Sequence, residues 1–152
     1  MKKILITMAS ILFISTSISF AYAPNPNVEK FVSDLDLIKN ELTILTKTVM
    51  GLEGKSSEEI NEIRKNIAGA TSNINYSIAR VNSLYRNETD PAVRKQYSAI
   101  SNTLSSFSFA LDSFLLYLAN PDDINQLIDA VYEIRTGTNS LNDVRQSLTR
   151  SK

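Results

Sequence analysis

Asp34 and Asp36, in the stretch SDLDLIKNE, stand two residues apart, the opening spacing of a calcium-binding loop. Such a loop also needs a third oxygen ligand, a glycine for its sharp turn and a closing glutamate at a fixed offset, and none follows. The two aspartates are therefore expected to be surface charges on a helix. Residues 51–56, GLEGKS, share their final glycine, lysine and serine with a phosphate-binding loop. That loop requires a glycine five residues before Gly54, where this chain has Val49. The stretch predicts a helix stop followed by a helix cap. The triplets NYS (75–77) and NET (87–89) match a glycosylation acceptor but are short enough to arise by chance.

The chain has no histidine and no cysteine. That absence excludes histidine-ligated haem, Glu-x-x-His di-iron sites, thiolate zinc sites and histidine-based triads. An enzyme built without these residues would show several charged side chains on the inward stripes of its helices. Only Arg145 falls on such a stripe, and it lies near an end, where its long stem can carry the charge back to water. A second opening for chemistry is a polar gap in the core around Ser77, Thr138 and Gly137. With so little converging, no catalytic, cofactor-binding or metal-binding residue is assigned. The chain is read as a non-enzyme that needs no cofactor.

Helices must position whatever function exists, because apolar residues recur in alternating steps of three and four. The first series is Val28, Phe31, Leu35, Ile38, Leu42, Leu45, Val49, Leu52; the second is Ile60, Ile63, Ile67, Ala70, Ile74, Ser77, Val81, Leu84. The third is Val93, Tyr97, Ile100, Leu104, Phe107, Leu111, Phe114, Leu118, and the fourth Ile124, Leu127, Val131, Ile134, Thr138, Leu141, Arg145, Leu148. The spacing predicts helices over about 27–52, 57–86, 91–119 and 122–149. GLEGKSSEE, NETDPAV and ANPDD supply the stops, caps and first-turn prolines between them. Equal lengths and short connections predict an all-α, up-down-up-down antiparallel four-helix bundle, about 36 Å long at 1.5 Å per residue. The seven-residue repeat implies left-handed, coiled-coil-like packing. A helical hairpin that completes its core by dimerising is the alternative.

Folding the series back and forth aligns them into layers. Leu42, Ala70, Phe107 and Ile134 form one, so that the largest side chain meets the smallest. Leu35, Ser77, Ile100 and Leu141 form another. Phe31, Val81, Tyr97 and Arg145 form the layer at the open end, with Arg145 against Tyr97.

The first residues read as an address. Lys2 and Lys3 precede an apolar stretch from Ile4 to Ile14, which gives way to small residues ending in AYA. That order describes a secretory signal peptide over residues 1–23, cut after Ala21 or Ala23, followed by one domain over 24–152. A membrane span needs roughly 20 predominantly apolar residues, and the serines and threonine at 15–19 end this run too early. The mature chain is expected to be soluble and exported, periplasmic or extracellular, with no stable membrane insertion. The MKK start and the abundance of Ile, Asn, Ser and Lys are bacterial in character.

Sixteen basic and sixteen acidic side chains balance in the full chain, and loss of Lys2 and Lys3 leaves the mature form near −2. That balance supplies no electrostatic footprint for nucleic acid or for an anionic membrane. What remains unexplained is apolar and faces outward. Phe109 and Leu116 stand seven residues apart on the side of the third helix away from its core stripe, flanked by Leu115 and Tyr117. Leu37 and Ile44 form a similar pair on the first helix. Clustered exposed apolar residues mark interfaces. These residues either widen the buried face of their helices or meet a protein partner or a second copy of the chain, and the partner contacts are expected at Leu37, Ile44, Phe109, Leu116 and Tyr117. The alternative is a small enzyme or small-ligand binder using the polar gap.

Overall fold

Short polar side chains decide where each helix begins. In the computed structural model, which describes residues 25–150, Asn25 Oδ1 accepts the backbone N–H of Asn27 at 3.0 Å and of Val28 at 3.4 Å. Pro26 follows at the first helical position, and α1 runs Pro26–Met50. The expected signal peptide, residues 1–23, lies outside the described residues. Gly54, at φ 77°, makes the turn that returns the chain, a backbone region that side-chain-bearing residues seldom adopt. Ser56 then opens α2 (Ser57–Asn87) with a capping box. Its hydroxyl accepts the Glu59 N–H at 3.3 Å, while the Glu59 carboxylate accepts the Ser56 N–H at 2.8 Å. That hydrogen bond, and Lys55 beside it, hold the Glu59 carboxyl below its ordinary pKa.

Asp90 caps α3 (Pro91–Ala119) by accepting the Ala92 N–H at 2.8 Å, with Pro91 next. The last turn of α3 carries no cation of its own, and Arg64 of α2 supplies one, donating to the Leu118 carbonyl at 3.1 Å. α4 (Ile124–Arg150) starts two residues later than the ANPDD pattern predicts. Pro121 and Asp122 form the turn, and Asp123 Oδ1 accepts the Asn125 N–H at 3.3 Å, so the two carboxylates precede the helix instead of filling its first turn.

The four helices pack as a bundle, and the described residues contain no strand. Polar contacts pair the start of α3 with the end of α4: Gln96 Nε2 donates to Ser147 Oγ, and Ser140 Oγ to the Ala99 carbonyl, both at 3.1 Å. α3 packs most extensively against α4, and α1 against α2 least. No helix among the described residues is long and apolar enough to cross a membrane.

The inward stripes of α1 and α3 are the expected ones, with Leu52 only half-buried. On α2, Ile63, Ile67, Ala70, Ile74 and Val81 are buried, and Ile60, Ser77 and Leu84 half-buried. α4 differs. Its buried positions are Leu127, Ala130, Gly137, Leu141 and Val144, whereas Ile124 and Val131 are 52% and 44% exposed. The reason is close packing. α3 presents the buried Thr103 and Ala110 beyond its large apolar stripe, and Ala130 and Gly137 on α4 offer little bulk in return. Two helices with small residues at their contact approach more closely than Leu and Ile would permit, which turns α4 toward its small side chains.

One expected layer changes, and the layer of Phe107 gains a close contact. Phe107, fully buried, has its ring against Gly137: a Cβ there would stand 2.6 Å from Phe107 Cε1. At the open end Phe31 and Tyr97 do meet, edge to face with centroids 6.4 Å apart. The cation over them is Arg80 of α2, 5.0 Å above the Phe31 ring, and not Arg145. Arg145 is half-buried at the side of the bundle, paired with Asp36 of α1 and donating to Asn142 at 2.7 Å.

Candidate functional site

The interior offers no gap at the three residues that suggested one. Ser77 Oγ donates to the Asn73 carbonyl at 2.9 Å and Thr138 Oγ1 to the Ile134 carbonyl at 2.7 Å, so both hydroxyls are spent on their own helices. The ring of Phe107 fills the space beside Gly137. Thr103, the one buried polar side chain among the described residues, donates to the Ala99 carbonyl at 3.0 Å. Among the described residues no buried side-chain nitrogen or oxygen lacks a partner, and no cluster of three carboxylates is placed to hold a metal. Asp34 and Asp36 are each ion-paired, Asp34 with Lys30 at 3.1 Å and Asp36 with Arg145, as helix-surface charges are.

The surface is where side chains converge. Phe109, Leu116 and Tyr132 are 60%, 56% and 64% exposed and line one open groove of about 530 Å³ between α3 and α4. Phe109 and Leu116 are two turns apart on α3, about 10 Å by helical rise. Tyr132 comes from α4, where the rotation that buries Ala130 carries it outward. Asp112, Ser113, Asp129 and Glu133 complete the lining, and no ion pair among the described residues engages any of the three carboxylates. The groove interleaves apolar and acidic side chains, with Asp112 and Ser113 between Phe109 and Leu116 on α3.

Leu37 and Ile44 are likewise exposed, at 67% and 65%. Leu37 lines a different groove, about 350 Å³ between α1 and α2, together with Tyr76 and four charged residues of both signs. The α1 pair and the α3 pair thus belong to separate surfaces. Tyr117 is half-buried and packs against the core, so its ring adds little to either.

Sequence reasoning missed Tyr132 and the three carboxylates. A signal was present in the chain. From Gln96 to Ile134 there is no Lys or Arg, while Asp112, Asp122, Asp123, Asp129 and Glu133 all fall in that stretch. The same segment carries the exposed Phe109, Leu116, Ile124, Ile128, Val131 and Tyr132.

No family model matches the sequence, and comparison with curated proteins and with solved structures gave no match.

Proposed function

We propose that this chain is an exported, non-enzymatic binding module that captures a protein partner, or a second copy of itself, on the α3/α4 face. One observation carries the reading: Phe109, Leu116 and Tyr132 leave more than half of their surfaces in water while sharing one groove. A bundle can bury such residues by widening its core face. Here α3 completes its inward stripe without Phe109 and Leu116, α4 turns its small residues inward and leaves Tyr132 out, and exposed apolar residues gathered in this way mark interaction sites. Export rests on the basic, apolar and small-residue order of residues 1–23, and a bacterial source on the MKK start and the abundance of Ile, Asn, Ser and Lys.

The ligand-site alternative in the core has less support, because the hydroxyls of Ser77 and Thr138 are turned to their own backbones. The test is site-specific photo-crosslinking in the producing cell, with the probe at Ser113 in the groove and, as control, at Ser83 on α2. Adducts should form from Ser113 alone and vanish in Phe109→Ser/Leu116→Ser. That double change should leave folding within about 0.5 kcal/mol of the parent, as surface substitutions do. Equal adducts from both probes, or adducts that survive the double change, would remove the α3/α4 face from the reading.

A further inference from the structure

Charge at the α3/α4 groove narrows the kind of partner it can hold. Phe109, Leu116 and Tyr132 share the groove lining with Asp112, Asp129 and Glu133, and no ion pair among the described residues engages the three carboxylates. Lys95 and Arg135 are the first basic residues on either side of this acidic stretch, and among the described residues neither forms an ion pair with the three carboxylates. Arg135 falls on the flank of α4 with Ile124, Ile128 and Val131, one turn from Tyr132, and does not line the groove.

We infer that the α3/α4 groove docks a cationic amphipathic helix from another protein, its aliphatic stripe on Phe109, Leu116 and Tyr132 and its Lys or Arg side chains against Asp112, Asp129 and Glu133. The inference rests on the binding-module reading and adds the partner's chemistry to it. A helix laid in a groove is read through anchors at steps of three, four and seven residues. Phe109 and Leu116, seven residues apart, offer two turns of matching surface. Carboxylates open to water contribute little each, but together they raise the encounter rate and select the sign of the partner.

A second copy is disfavoured on the same ground. A two-fold pairing of this face sets each patch against itself, so the three carboxylates of one copy would approach those of the other. Like charges brought together across an interface suppress pairing.

The test uses fluorescein-labelled peptides of about five helical turns, ~18 residues, and the mature protein in solution. One peptide is an amphipathic leucine–lysine helix. A second has glutamate in place of every lysine. A third has the leucine–lysine composition with the amphipathic order scrambled. Anisotropy titration should show the first binding about tenfold tighter than the other two, with affinity falling as salt is raised. Phe109→Ser/Leu116→Ser should abolish that binding. Asp112→Asn/Asp129→Asn/Glu133→Gln should weaken it about five- to tenfold and flatten its salt dependence, with helicity unchanged in both variants.

If the glutamate peptide binds equally well, or the neutralised variant binds as the parent does, the cationic partner is wrong while the groove still docks a helix. If no peptide binds and sedimentation finds a dimer that Phe109→Ser/Leu116→Ser dissolves, the occupant is a second copy and the inference falls. Binding that ignores Phe109→Ser/Leu116→Ser defeats both the inference and the reading beneath it. A protein that stays monomeric and binds none of the peptides also overturns the cationic helix.

Discussion

The ring of Phe107 stands where a side chain at position 137 would have to be. A Cβ on Gly137 would meet Phe107 Cε1 at 2.6 Å, Cδ1 at 2.7 Å and the Thr103 carbonyl oxygen at 3.2 Å. The first two distances are too short for the fully buried ring to remain in place, and the carbonyl blocks a simple shift of α4.

Gly137→Ala should therefore destabilise the bundle although it improves helix propensity. Alanine gains up to about 1 kcal/mol over glycine within a helix. Overpacking a filled core costs about 1–3 kcal/mol, so a net loss of up to about 2 kcal/mol is expected from urea unfolding. Phe107→Ala alone should cost about 3–5 kcal/mol. Combining the two should recover part of the loss, because the new methyl enters the space the ring vacates. Strict additivity would mean that the ring and position 137 are not in contact.

Tyr97 should make stability fall at alkaline pH. Burial raises its pKa above the ordinary value of 10.0, and Glu88 adds to the rise. The unfolded chain then ionises before the folded one. The contribution is fully present below the unfolded pKa and is lost as pH rises through the raised folded value. Tyr97 Oη also donates to Asn25 Oδ1 at 3.4 Å, tying α3 to the cap of α1. Tyr97→Phe should cost about 0.5–1.5 kcal/mol near pH 7 and lose less than the parent between pH 7 and pH 11. Parallel pH curves for the two proteins would show that Tyr97 ionises as freely folded as unfolded.

The architecture was legible in the sequence because large apolar residues decide it. Three-four spacing on α1 and α3 named inward stripes that the structure keeps. α4 was misread because its contact is made by what is missing. Ala130 and Gly137 carry almost no hydrophobic signal, so weight passed to Ile124 and Val131, which are exposed. The same error hid Tyr132 and, with it, half of the α3/α4 groove. Phe109 and Leu116 could be placed outward because α3 has a complete inward stripe without them. Arg145 was placed inward by periodicity alone. Its charge finds Asp36 at the bundle's side, a pairing between residues far apart in the chain that no local pattern announces.

That last pair predicts a small, salt-sensitive effect. The Arg145 and Asp36 side chains are 34% and 39% exposed, so water screens much of their attraction. Pairs of this kind contribute about 0–1 kcal/mol, and a double-mutant cycle with Arg145→Met and Asp36→Asn should give a coupling energy in that range. Methionine keeps most of the arginine stem's packing, which separates the charge from the contact. The coupling should shrink as sodium chloride is raised toward 1 M, where the screening length falls to about 3 Å. A coupling above about 2 kcal/mol that ignores salt would put the pair in the dry interior. The arginine would then belong to the core layer with Tyr97 that its place in the fourth apolar series predicts.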